Sequence, residues 1–342
     1  FGDIDVYAQG ALTVGSVTTP YASTLRGDTV QLNRVTNASM GALSYRLQID
    51  SQQGFADANV LDQTNGLRAN TIEINAYGGS GNSIDLITTP LVGSDFWLYA
   101  SAGNIRANLT GPDFLSVQTN GSFDIDFSTP ALGTLQIYGT AAGIGASTLT
   151  STNGSPTQSF TFGPSAGDLL VSSTSTSPLD LHLEVSSLGG GNVGLNGINT
   201  GGGSFYLNAS GGGIHATSLT TAYAEMYASG DILLGNVSTT GASASGAPFI
   251  ASSSNGSILN PTHAALSVGT SSVTLYAADN IGNASDPIQV SVSSNLSQLH
   301  LTAKDDIAVH VLNGMTPADL AHLDLTLTGT TTSTTLDIGA SV

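Results

Sequence analysis

The 342-residue sequence predicts an all-β fold, a parallel β-helix (solenoid) with rungs of about 20 residues. Three observations predict it. A phrase of alternating apolar residues, a closing Ala or Gly, a short polar turn and a Gly-x-Ile-like anchor returns along the chain. It reads Phe96-Trp97-Leu98-Tyr99-Ala100 before Gly103-Asn104-Ile105, and Leu135-Gln136-Ile137-Tyr138-Gly139 before Gly143 and Ile144. It returns as Phe205-Tyr206-Leu207-Asn208-Ala209 before Gly213 and Ile214, and as Val273-Thr274-Leu275-Tyr276-Ala277 before Asn280 and Ile281. Second, the adjacent anchors Ile105, Ile125, Ile144, Leu169, Val193, Ile214, Ile232, Ile258, Ile281 and Ile307 stand 18 to 26 residues apart. Third, 40% apolar residues are combined with 42 glycines and only 9% charged residues. That is too apolar for disorder and fits short strands separated by Gly/Ser/Thr/Asn turns. One such rung cannot bury its apolar face alone, so rungs stack and share a core.

Taken in chain order, Phe1-Gly2-Asp3-Ile4 already reads as a repeat unit, and the chain is expected to be an excerpt from something longer. A strand period of two turns Ile4, Val6 and Ala8 inward and Asp5 and Tyr7 outward. Between Val30 and Ile84 the units are harder to phase; from 96 to 312 they are clearest. There the same alternation buries Phe96, Leu98 and Ala100, and later Leu299, Leu301 and Ala303. The recurrent Ala or Gly is small where the coil narrows toward a corner. Gly103, Gly143, Gly213 and Gly230 are placed to supply the positive φ of the following turn. Residues 313–342 read as less regular C-terminal rungs. They hold the one helical-looking stretch, Pro317 to Leu323, behind a Thr316 cap. The expected organisation is a single elongated domain over 1–342. At about 4.8 Å per rung, ~15 rungs make a rod on the order of 70 Å. No capping helix is evident at either end, which favours end-to-end stacking or a longer rod.

The formal charge is −18, from 24 acidic residues against six basic ones. Nucleic acid and anionic membrane surfaces need Lys and Arg, so both are excluded as partners. No apolar run approaches a membrane-spanning helix. The chain has no cysteine, hence no disulfide and no thiolate metal site.

β-Helices also carry glycosidases and lyases, and glycosidase chemistry needs a pair of carboxylates. Asp124 and Asp126 share a strand face, as do Asp3 and Asp5, and read as solvated outward aspartates. One lysine, Lys304, and five scattered arginines are poor material for neutralising a uronate, and the six histidines show no metal-ligand spacing. Gly78-Gly79-Ser80-Gly81-Asn82-Ser83-Ile84-Asp85 resembles a calcium nonapeptide but carries Ser83 where Asp is needed, and reads as a glycine-rich turn. No catalytic residue, metal site or cofactor is therefore assigned. The interaction residues singled out are Tyr7, Tyr99, Tyr138, Tyr227 and Tyr276. All five fall in one outward slot, just before the small residue, and Asn75, Asn208 and Thr302 fill that slot elsewhere. A tyrosine stripe suits stacking on sugar rings or packing on a neighbouring rod; high β-propensity alone also accounts for it.

The units Leu207-Asn208-Ala209-Ser210-Gly211-Gly212-Gly213-Ile214 and Met226-Tyr227-Ala228-Ser229-Gly230-Asp231-Ile232 carry a family resemblance. So does the phrase Asn280-Ile281-Gly282-Asn283-Ala284-Ser285-Asp286-Pro287-Ile288 with Leu299-His300-Leu301-Thr302-Ala303. They resemble the shafts of filamentous haemagglutinin-like large exoproteins, secreted by the two-partner route of Gram-negative bacteria. The resemblance covers most of 96–312; its motifs are specific for architecture rather than activity. It implies a right-handed parallel β-helix, extracellular or cell-surface display, an outer-membrane secretion partner, and a role as an adhesin or in biofilm matrix. The family's amino-terminal secretion domain is not evident. The expected function is a non-enzymatic structural and adhesive shaft that self-associates end to end or laterally, or binds a carbohydrate or host-surface ligand. The alternative is a β-helical polysaccharide-active enzyme, a glycosidase or lyase.

Overall fold

The computed structural model describes residues 3–15, 17–19, 22–32, 35–37, 46–53, 55–56, 67–78, 82–128, 134–142, 146–152, 157–163, 167–186, 191–241, 248–292, 296–312, 324–328 and 334–338. Among these residues there is no helix, and the paired strands run parallel. The chain divides into two compact units, residues 1–168 and 169–342. The helical turn expected from Pro317 to Leu323 and the anchor at Gly143 and Ile144 lie outside the described residues.

In the first unit, strands Ile4–Tyr7, Ser23–Gly27, Arg46–Ser51, Thr71–Ala76, Asp95–Ala100, Phe114–Thr119, Thr134–Ala141 and Thr157–Phe162 lie side by side in chain order as one sheet. Between each of these and the next, the chain passes through a second row, which includes Asn82–Val92, Asn104–Thr110, Phe123–Ser128 and Ser147–Thr152. One circuit through both rows makes one rung of a β-solenoid. The second unit repeats the scheme. Its first sheet is Asp180–Ser186, Ser204–Ser210, Tyr223–Ala228, Phe249–Ser253, Ser272–Ala277, Gln298–Ala303 and Asp324–Thr328. Its second row includes Val193–Asn199, Ile214–Thr221 and Ile232–Thr239.

A rung takes about 23 residues, slightly more than expected. The second row bends, which uses up the extra length. Asn82–Val92 pairs at one end with Phe55–Ala56 and at the other with Leu67–Arg68, and its register breaks between Leu86 and Pro90. Likewise Ile232–Thr239 pairs with Ile258–Leu259 and, beyond an excursion, with Leu266–Val268.

The inward positions are those expected from the alternation. Ile72, Ile74 and Ala76 lie beside Phe96, Leu98 and Ala100, and these beside Leu115, Val117 and Thr119, all buried. Leu299, Leu301 and Ala303 are buried in the second unit, while Ile4 and Val6 are half-buried under an exposed Asp5 and Tyr7. Each fully buried Leu or Phe contributes about 1.5–3 kcal/mol. Unlike a helix bundle, the solenoid sets apolar residues beside apolar ones along these inward columns.

The small residue that closes each phrase forms its own column: Ser51, Ala76, Ala100, Thr119 and Ala141 in one unit, Ala209, Ala228, Ser253, Ala277 and Ala303 in the other. It faces the turn of its own or the preceding rung. Where a hydroxyl enters this buried column it donates to a turn carbonyl: Ser51 Oγ to Asp28 O at 3.0 Å, Thr119 Oγ1 to Gly103 O at 2.6 Å, and Ser253 Oγ to Gly230 O at 2.7 Å. Buried polar groups are tolerated only when paired in this way.

The turn glycines divide into two kinds. Gly103 adopts φ 79°, as expected. Gly213 keeps an ordinary φ, and there the Asp231 carbonyl of the next rung comes too near for a side chain. Gly230 also keeps an ordinary φ.

Candidate functional site

In a parallel sheet, outward side chains stack in columns one strand apart, about 4.8 Å. On the first sheet of unit 1–168, one outward column runs Tyr7, Arg26, Asp50, Asn75, Tyr99, Gln118 and Thr140. Its neighbour runs Asp5, Thr24, Gln48, Glu73, Trp97, Ser116, Tyr138 and Thr161. The early rungs of this face are polar and self-satisfied. Arg26 Nε donates to Asp50 Oδ2 at 3.0 Å, Gln48 Nε2 to the same oxygen at 3.1 Å, and Asn75 Nδ2 to Asp50 Oδ1 at 2.9 Å. Asn75 Nδ2 also donates to Glu73 Oε1 at 2.9 Å, and Arg46 pairs with Glu73 Oε2. Burial, reinforced by the Asp50 and Glu73 charges, pushes the hydroxyl of Tyr77 above its ordinary pKa. A cleft of about 410 Å³ opens between Tyr7 and Tyr77 over Arg26 and Asp50.

The next rungs of the same face are aromatic. Trp97 and Phe114 approach to 4.8 Å between ring centroids, Phe114 and Tyr138 to 5.7 Å, and Tyr77 and Tyr99 to 5.9 Å. Such offset, tilted contacts are the favoured geometry of ring pairs. Trp97 and Tyr138 are each 46% exposed, so the rings are presented to solvent. Two grooves, of about 310 and 240 Å³, lie along them, and Ser116 and Gln118 line both.

The five tyrosines do not all share one slot. Tyr7 and Tyr99 stand in one column of the first unit, and Tyr227 and Tyr276 in one column of the second, with Ser252 between them. Tyr138 stands one column over, opposite Ser116. The reason is local packing. Thr134–Ala141 is paired two residues along from the position its motif suggests, so Ala141, not Gly139, takes the corner slot beside Thr119. Gly139 instead takes the central inward slot beside Val117, where the ring of Phe162 from the following rung fills the space a side chain would need. Phe162 in turn stacks on Phe123 at 5.5 Å.

In unit 169–342 the aromatic groups are tied to carboxylates. His182 stacks on Tyr206 at 4.4 Å and 12°, and its Nε2 lies 3.1 Å from Glu184 Oε1. Asn208 Nδ2 donates to Glu184 Oε2 at 2.9 Å. Tyr227 donates to Glu225 Oε2 at 3.0 Å, and burial together with that bond pushes its pKa up to about 12. Burial, with the flanking Glu184 and Glu225 charges, also raises Tyr206. Tyr276 is 45% exposed.

The candidate catalytic aspartates sit on the second row. Asp124 Oδ1 accepts from Thr148 Oγ1 at 2.7 Å, and Arg106 lies between Asp124, 3.9 Å from Nε, and Asp85, 3.3 Å from an Nη. Asp126 stands two residues along the strand, between Asn108 and Thr150 in register. Of the calcium-like turn, residues 79–81 lie outside the described residues, and Asp85 is committed to Arg106. Among the described residues no group of three or more His, Asp or Glu is placed to hold a metal ion.

Two features escaped the reading of motifs. Trp97 and Phe114 are outward by simple alternation, but neither recurs in the repeat, so no repeated phrase marks them. The x of Gly-x-Ile is also more than a spacer. Asn104 Oδ1 accepts from Ser122 N, Asn192 from Gly213 N, Asp231 from Ser257 N, and Asn280 from Asp306 N, all at 2.8–2.9 Å. Each caps the residue just before the first inward residue of the next rung's strand, Phe123, Ile214, Ile258 or Ile307. Beside Ile105 that residue is Phe123, and the expected anchor Ile125 lies beside Ala107. No protein family, curated protein or solved structure matches this chain.

Proposed function

We propose that this chain is a non-enzymatic structural and adhesive protein, a β-helical shaft displayed outside the cell. The observation that carries the reading is the repeated ladder of parallel strands in each unit. In each unit the described rungs repeat an inward scheme, and its outward carboxylates include ones spent on their neighbours, Asp50 on Arg26, Gln48 and Asn75, and Asp124 on Thr148. A surface organised that way suits extension and contact along its length. On the family resemblance, the shaft is an adhesin or biofilm component exported through an outer-membrane partner, and rods self-associate or bind a surface glycan. The competing reading, a polysaccharide-active enzyme, is favoured by the β-helical fold class and by the aspartate pairs Asp124 with Asp126 and Asp3 with Asp5.

The test is a paired assay on the purified chain. Beads coated with it are expected to adhere to cells or to a polysaccharide layer, while a panel of neutral and acidic polysaccharides shows no release of reducing ends or unsaturated products. Turnover that disappears in Asp124→Asn would replace the shaft reading with the enzymatic one.

A further inference from the structure

We propose that the aromatic furrow on the first sheet of unit 1–168 binds an extended, neutral polysaccharide chain, its pyranose rings stacking on Trp97 and Tyr138, whose rings Phe114 braces from outside the furrow. This names a ligand for the adhesive reading and rests on it.

The furrow has the shape of a track rather than a pocket. Its two grooves share Ser116 and Gln118, so they form one channel that runs along the stacking direction of the strands, from Glu73 to Thr161. Trp97 and Tyr138 stand in the same column with the small Ser116 between them, two strands or about 9.6 Å apart. Phe114 bridges their rings from the adjoining column. Each rung advances about 4.8 Å, close to the length of one ring in an extended pyranose chain. An extended chain laid along the columns therefore advances about one sugar per rung, and sugars two rungs apart meet Trp97 and Tyr138.

The chemistry of the lining selects the ligand class. Rings give flat apolar area for the C–H faces of sugars, and Ser116, Gln118, Thr140 and Thr161 supply hydroxyl and amide groups beside them. No cation lines either groove, and the one acid, Glu73, is already paired with Arg46. A uronate, sulfated chain or nucleic acid would find no cation lining the grooves, on a molecule of net charge −18. A neutral glycan meets no such penalty.

Trp97 is the only tryptophan in the sequence, so its fluorescence reports this furrow directly. Titrating the full chain with barley β-glucan and with hydroxyethylcellulose is expected to shift Trp97 emission to shorter wavelength and protect it from acrylamide. Tyr138→Ala is expected to weaken the response about tenfold or more, about 1.4 kcal/mol, with an unchanged far-ultraviolet circular dichroism spectrum. Leu170→Ala, on the second row of the other unit, is expected to leave it intact. Trp97→Ala is read by affinity electrophoresis in the same glucans and is expected to lose its retardation. A Trp97 signal that is silent to both glucans overturns the proposal, and the wild-type titration alone decides this if a variant fails to fold. An equal response to polygalacturonate overturns it too, as does protection that follows protein concentration without glycan, which would assign the face to a second copy. Adhesion with a silent Trp97 removes the furrow and leaves the shaft reading standing. Release of reducing ends with a responsive Trp97 removes the non-enzymatic reading and leaves the furrow.

Discussion

Gly139 shows how one residue can leave room for a ring of the next rung. The motif Leu135-Gln136-Ile137-Tyr138-Gly139 looks like its relatives, yet the glycine sits under the Phe162 ring rather than at the corner. A methyl group there collides with a ring that is itself held against Phe123. Overpacking of this kind costs about 1–3 kcal/mol. Gly139→Ala is therefore expected to lower the denaturant midpoint, and Phe162→Leu to recover part of the loss when the two are combined. Additive effects in a double-mutant cycle would show that the contact is not the cause.

At the scale of the element, the turn into each second-row strand is closed by a side chain of the rung before. Asn192 Oδ1 accepts the N–H of Gly213, a buried residue with its neighbours packed around it. Removing the acceptor leaves a buried donor unpaired, at about 1–3 kcal/mol. Asn192→Ala is expected to lose that much in equilibrium unfolding, whereas Asn192→Asp retains most of it. Equal losses in the two variants would mean that the carbonyl oxygen is not what matters. Stacked rungs depend on their neighbours, so hydrogen exchange in Asn192→Ala should rise first in Val193–Asn199 and Ile214–Thr221.

For the whole molecule, charge and phenol chemistry combine at high pH. Tyr227 ionises at about 12 in the folded chain against 10.0 ordinarily, and Tyr77 and Tyr206 are shifted in the same direction. Between those two pH values the folded chain holds protons that the unfolded chain has released. Stability therefore falls as pH rises through this window, its Tyr227 share being complete below pH 10.0 and lost beyond about 12. The net charge of −18 grows more negative over the same range and adds self-repulsion. Chemical unfolding across this window is expected to show the decline, with Tyr227→Phe flattening part of it. Tyrosinate absorbance that titrates as a single class near pH 10.0 would remove the basis of the expectation.

The fold class, the inward faces and the small corner column were legible in the sequence alone, because a strand period of two and a repeated rung leave a direct trace in residue order. Phe96, Leu98 and Ala100 are buried where alternation puts them. Register between rungs was not legible. It depends on where loops of unequal length return the chain, and on contacts such as Gly139 with Phe162 that join residues far apart in sequence. That register separates Tyr138 from the tyrosine column, sets it beside Phe114 and Trp97, and so makes the aromatic furrow. Sequence determined what each residue faces, inward or outward; tertiary structure decided which outward residues become neighbours, since that choice belongs to stacking and not to the strand.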